Sequence, residues 1–159
     1  MPLADLSDHA RLQLVPCDPP LTLAEGAALA AQLDKLFIQF AREDRIHAWA
    51  IAVEVEGALL VIAWEGDSEL SGCSRDKVAR LLLGHEERSG RRLLSAPPIL
   101  IATAAGPRCV DRPGLRQLIA SGAVDGQAAV YDLHAPTLGA WRTAAHVPLV
   151  GSAFAPYVR

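Results

Sequence analysis

Lysine, aromatic residues and cysteine are scarce in this 159-residue chain, and each scarcity excludes something. Of 15 basic residues only Lys35 and Lys77 are lysines, and neither follows a glycine-rich loop. No G-x-x-x-x-G-K-[ST] segment occurs, which excludes phosphate binding by a P-loop. Aromatic residues are 5% of the chain whereas 51% is hydrophobic, so the core must be aliphatic. Cys17, Cys73 and Cys109 are odd in number and far apart. They form neither a CxxC pair nor the Cys/His spacing of a zinc site, so no metal and no other cofactor is expected. Thiols of this kind fit a reducing cytoplasm. No apolar run approaches the ~20 residues of a membrane span. The longest, residues 58–63, has strand length. Residues 1–9 hold Asp5 and Asp8 and no apolar stretch, unlike a signal peptide. A formal net charge of −3 argues against nucleic acid as a partner. Arg80, Arg88, Arg91 and Arg92 form a local basic knot that reads as a solvated helix end.

What is present is regular patterning over one domain's length, residues 1–159, with no repeat or linker. Residues 11–15 read as a strand stopped by Pro16. Thr22-Leu23-Ala24-Glu25 is a capping box. Leu29, Leu33, Leu36, Phe37 and Phe40 follow at helical spacing, which predicts an amphipathic helix over 23–42. Residues 46–56 alternate and residues 59–65 are continuously apolar; with Glu56-Gly57 between them they predict a β-hairpin. Val78, Leu81, Leu82 and His85 predict a helix from near Ser74 to Gly90. Gly84 inside it costs about 1 kcal/mol relative to alanine. Residues 99–103 predict a buried strand. Asp111-Arg112-Pro113 predicts a helix start, and Gly122 its end. Residues 127–133 predict a strand, and residues 135–141 a short helix. The apolar residues of the tail, 147–159, predict docking on the body or on a partner. The expected fold is α+β. A mostly antiparallel or mixed sheet carries helices on one face. The order β-α-β-β-α-β matches a ferredoxin-like core with a C-terminal α-β-α extension.

The candidate site is Ser71-Gly72-Cys73-Ser74-Arg75-Asp76, a strand-to-helix turn. Backbone N–H groups at a helix start favour negative charge and can lower a thiol pKa or hold an anion. Ser71, Gly72, Cys73, Ser74 and Asp76 are therefore candidate ligand-binding residues. The alternative is structural: a serine caps the helix, Asp76 complements the dipole, and Cys73 packs as a small apolar side chain. A nucleophilic Cys73 needs a base, and a Cys73, His134 and Asp132 grouping is the candidate catalytic set. Asp67, Glu69 and Asp76 read as loop carboxylates. His85-Glu86-Glu87 lacks the second histidine of a zinc protease motif. Trp49, Trp64 and Trp141 read as core or interface anchors.

The Ser71-Gly72-Cys73-Ser74 segment, Asp76, the helix ending at Gly90, Val130-Tyr131-Asp132 and the Trp141 helix together resemble a family of small bacterial proteins. Its members are often labelled ABC transporter ATPases. The resemblance spans residues 21–154, with Pro148 and Ser152 echoing its tail. This chain departs from it at Arg75, where the family has an aliphatic residue, and at Ser152-Ala153, where it has Ser-Trp. The ATPase label does not carry over, because the P-loop is missing. The resemblance implies a soluble cytoplasmic protein. The expected function is non-enzymatic: self-association, as a homodimer, or binding of a partner or small anionic ligand at the 71–76 turn. The alternative is a thiol-dependent enzyme or redox sensor using Cys73.

Overall fold

The computed structural model describes residues 1–43 and 46–158. The fold is α+β: four α-helices and two antiparallel sheets among the described residues. In chain order the elements are β1 (Arg11–Pro16), α1 (Leu23–Arg42), β2 (Ala48–Glu54), β3 (Leu59–Glu65) and α2 (Gly72–Ser89). They continue with β4 (Ile99–Thr103), β5 (Gly106–Val110), α3 (Arg112–Ala120), β6 (Ala129–Tyr131), α4 (Leu138–Thr143) and β7 (His146–Pro148).

Local chemistry sets the helix ends. The Thr22 hydroxyl accepts from the Glu25 N–H at 3.1 Å, and the Glu25 carboxylate accepts from the Thr22 N–H at 2.9 Å. The capping box thus satisfies two donors that the helix leaves over. Ser71 caps α2 by accepting from Ser74 N–H, Asp111 caps α3 through Gly114 N–H, and Thr137 caps α4 through Ala140 N–H. Gly90 ends α2 at φ 71°, in the left-handed region that glycine enters without a Cβ penalty.

The first sheet has the order β1-β3-β2, with β3 central. That position explains why β3 is apolar throughout: both its faces are covered. Leu60, Ile62 and Trp64 pack with Leu29, Leu33, Phe37 and Phe40 of α1 and with Val78 and Leu82 of α2. Leu59 and Val61 face the opposite way, onto Leu100 of β4 and Cys109 of β5. Beyond the second sheet, Ile99, Ile101, Val110 and Val130 pack with Leu115 and Leu118 of α3 and with Leu149. The molecule is therefore layered helix, sheet, sheet, helix. Each fully buried leucine or isoleucine contributes about 1.5–3 kcal/mol of burial.

The second sheet has the order β5-β4-β6-β7. The order β1-β3-β2 is what a ferredoxin-like core asks of its first three strands. A fourth strand would then pair with β1. Instead β4 pairs with β5 and β6, so the four-stranded closure is not made. The helices also lie on both outer faces, not on one. Four expected boundaries shift. The strand expected over 46–56 is Ala48–Glu54. The strand expected over 127–133 is Ala129–Tyr131, the helix expected over 135–141 is Leu138–Thr143, and α2 begins at Gly72, not near Ser74. β5 and β7 have no counterpart in the sequence reading. The C-terminal tail packs on this chain: Phe154, Tyr157 and Val158 join the cluster under α3, and Arg116 lies 4.8 Å from the Tyr157 ring centroid. Arg159, the last residue of the expected tail, lies outside the described residues.

Candidate functional site

The turn over residues 71–76 is occupied by its own side chains. Ser71 Oγ accepts from Ser74 N–H at 3.2 Å and donates to Ser74 Oγ at 3.1 Å. Glu69 pairs with Arg11 at 3.0 Å and with Arg75 at 3.3 Å, so carboxylate flanks the helix start. Ser74 is fully buried, whereas Cys73 is exposed. The expectation of Cys73 as a packed apolar side chain is thus reversed. The signal was legible: Ser74, Val78 and Leu82 share one helical line four residues apart, and Cys73 belongs to the line of Lys77 and Arg80. Asp76 is exposed on α2.

Cys73 starts α2 and lines neither of the two clefts that His134 lines. Asp132 and His134 do meet each other: the Asp132 carboxylate accepts from His134 N–H at 2.8 Å, closing the turn after β6. Among the described residues no three His, Cys, Asp or Glu side chains are placed to hold a metal ion. His85 is held below the usual histidine range by burial and then by the Arg88 charge, which suits a neutral side chain between α1 and α2.

Clefts gather elsewhere. One, of about 530 Å³, lies between α1 and the turn after β2. Its wall mixes leucine, valine and small residues with Glu54 and Glu56, and Thr22 already serves the helix cap. A second, about 380 Å³, opens between Ile99, Val130, Phe154 and the polar rim of Tyr131, Asp132 and His134. A third, about 220 Å³, runs along β1 residues 13–16 beneath Leu93 and Leu94. The second and third share Pro98, Leu133 and His134 as wall residues, so they are adjacent clefts of one grooved surface with His134 between them. Its polar groups converge on an apolar floor, the arrangement typical of a small-molecule site. Nothing in the sequence flagged this groove beyond Asp132 and His134, because its walls come from four separate segments.

The groove follows the outer edge of β1. Short antiparallel bridges close both ends of that edge: Arg11 opposite Thr137, and Asp18 opposite Arg92. The Arg92 guanidinium also pairs with the Asp18 carboxylate. Glu86 holds the loop that follows α2: its Oε1 accepts from Leu93 N–H at 2.5 Å, Ser95 N–H at 3.0 Å and Ser95 Oγ at 2.9 Å. Burial pushes the Glu86 carboxyl up, but the Leu93 and Ser95 bonds outweigh it and hold the group below the usual carboxylate range. A depressed carboxyl stabilises the fold above its unfolded pKa, and that stabilisation disappears as pH falls through the folded value. Amide protection at Leu93 and Ser95 should therefore fall as the pH drops below about 4, ahead of the β3 amides. Unchanged protection there in a chain still folded would refute the role of Glu86.

No family model matches the chain, and neither the curated proteins nor the solved structures yield a significant match. The functional reading rests on the geometry above.

Proposed function

We propose that this chain is a non-enzymatic cytoplasmic binding protein. Its ligand is a small molecule with an apolar body and one polar group, held in the groove at His134. The observation that carries this reading is that Pro98, Leu133 and His134 line two adjacent clefts at once. Leu94 is 43% exposed on one wall, and an apolar ligand body would cover it. Asp132 and His134 at the rim supply a carboxylate acceptor and an imidazole for the polar group. The tail that prompted a self-association reading spends Leu149, Phe154 and Tyr157 inside this chain, which weakens a dimer built on it. The thiol alternative draws only on the exposure of Cys73.

The test is a screen of small aromatic amines and amides followed through backbone amide NMR shifts, with inorganic phosphate as a separate titrant. Shifts should centre on Tyr131, Leu133, His134 and Leu94, and His134→Ala should weaken the best binder at least about tenfold, the loss of one charged or polar contact of about 1.4 kcal/mol. If the shifts fall on the Gly72 and Cys73 amides with phosphate, the anion reading wins and the groove reading fails. Equal affinity in His134→Ala would also sink it.

A further inference from the structure

The two sheets present four outer edges, and three of them are blunted. β1 is bridged at both ends, by Thr137 and by Arg92. β5 carries Arg108 and Pro107, which has no N–H to give. β7 is three residues long and ends at Pro148. Short length, proline and charge are common means of keeping an edge from pairing. β2 has none of them. It runs for seven residues without proline, and Glu54 at its end is its one charge. It pairs with β3 alone, and among the described residues no segment bridges its other side. Alternate residues along that side therefore turn their N–H and C=O groups outward.

We propose that two copies of this chain pair antiparallel through β2 about a two-fold axis at Ile51, so that the three-stranded sheet becomes one of six strands, three from each copy. The occupant follows from the strand itself. Trp49, Ile51 and Val53 pack under α1, whereas Ala48 and Ala50 join the apolar cluster of the opposite face. A two-fold partner keeps both faces continuous only if residues of the same face stand opposite each other, because a one-residue slip turns the whole set over. Centring on Ile51 meets that condition and pairs the strand over its full length. Trp49 then faces Val53, Ala50 faces Ala52, and Glu54 faces Ala48. The one charge meets an alanine, not its own copy, so self-pairing sets no like charges opposite each other.

α1 leaves room for the second copy. It lies over β2: the Asp34 carboxylate accepts from Trp49 Nε1–H at 2.7 Å, and a Cβ on Gly26 would sit 3.1 Å from Val53 Cγ2. α1 therefore runs opposite to β2, and the axis brings the first turn of one α1 toward the later turns of the other. Leu23, Ala27, Ala30, Asp34 and Ile38 follow one another at helical spacing on this side. The alanines let the two helices approach closely where they cross. Leu23 is 96% and Ile38 36% exposed, and the pairing sets Leu23 of one copy toward Ile38 of the other.

The test is sedimentation velocity of the full chain over about 1–100 µM, the range in which a micromolar association changes its population. Reductant is present throughout, so that exposed Cys73 links no copies. The mass should double toward the upper end, and hydrogen exchange of the β2 amides should slow with it. Ala52→Lys and Ala52→Glu, each alone, should weaken the association at least about tenfold, because like charges then sit diagonally across the axis. An equimolar mixture of the two should pair again. Ala27→Arg acts from the exposed side of α1 without touching the sheet, so it keeps the test intact if an Ala52 variant fails to fold, and it too should weaken the association. A chain that stays monomeric across the range overturns the proposal. So does a dimer of unchanged affinity in Ala27→Arg and in the folded Ala52 variants. Small-molecule shifts at His134 play no part in these measurements, so the groove reading and this one can fail separately.

Discussion

Replacing Phe37 with alanine is expected to cost about 3–5 kcal/mol, the range for emptying a buried aromatic site. Phe37 is fully buried on the inner face of α1. Its ring lies 5.2 Å from Phe40, 6.5 Å from Trp49 and 6.2 Å from Trp64, centroid to centroid. This is the meeting point of α1, β2 and β3, and the chain has few aromatic rings to refill it. The Trp49 indole N–H is also tied to Asp34 at 2.7 Å, so that ring is not free to swing into the cavity. With a typical domain stability of about 5–15 kcal/mol, the loss is a large fraction of the whole. Urea unfolding measures it as a lower midpoint at unchanged slope. The neighbouring Ile38, 36% exposed, provides the contrast. Ile38→Ala should cost about 1 kcal/mol or less, as surface changes do. A Phe37→Ala loss as small as that would show that the core under α1 is not packed as described.

Gly57→Ala should cost about 3 kcal/mol or more, through sterics alone. Gly57 has φ 90°, and Val55 and Glu56 before it both have φ 53°. A Cβ on Gly57 would sit 2.2 Å from Leu21 O. Leu21 cannot retreat, because its own N–H donates to Gly57 O at 2.9 Å and its side chain is buried. Left-handed backbone alone costs an alanine about 1–2 kcal/mol; the clash with backbone adds the rest. Gly90 separates the two contributions. It has φ 71°, but open space where its Cβ would lie. Gly90→Ala should therefore lose only about 1 kcal/mol. Equal losses at the two positions would mean that the Leu21 clamp contributes nothing.

The same two glycines show what a sequence can and cannot carry. Gly90 follows Arg88 at the end of a helical period, and its role is readable from six residues. Gly57 looks like a hairpin turn residue, which it is, yet its rigidity comes from Leu21, on the far side of α1 in sequence. Cys73 and Ser74 divide in the same manner. Their helical lines are written in Val78 and Leu82 on one side and Lys77 and Arg80 on the other, so exposure was legible. That Cys73 lines neither of the clefts that His134 lines was not, because nothing local places the segment after β6 beside Leu93. β5 escaped notice for a related reason. Gly106-Pro107-Arg108 has no alternation, and its strand conformation comes from pairing with Leu100 and Ile101. β7 has three exposed residues and is held by Val130 alone among buried partners.

By itself, the sequence determined the helix starts at Thr22 and Asp111, the inward face of α1, and the β2–β3 hairpin. Each depends on hydrogen bonds and contacts within a few residues, where the chain has little choice. Only the tertiary structure decided that β4 leaves β1 for a second sheet, that the Cys109 thiol reaches the Cys17 carbonyl, and that Leu133 and His134 stand between two adjacent clefts. Those outcomes depend on which distant apolar faces cover each other best. That choice is made by burial summed over whole layers, and no short segment contains it.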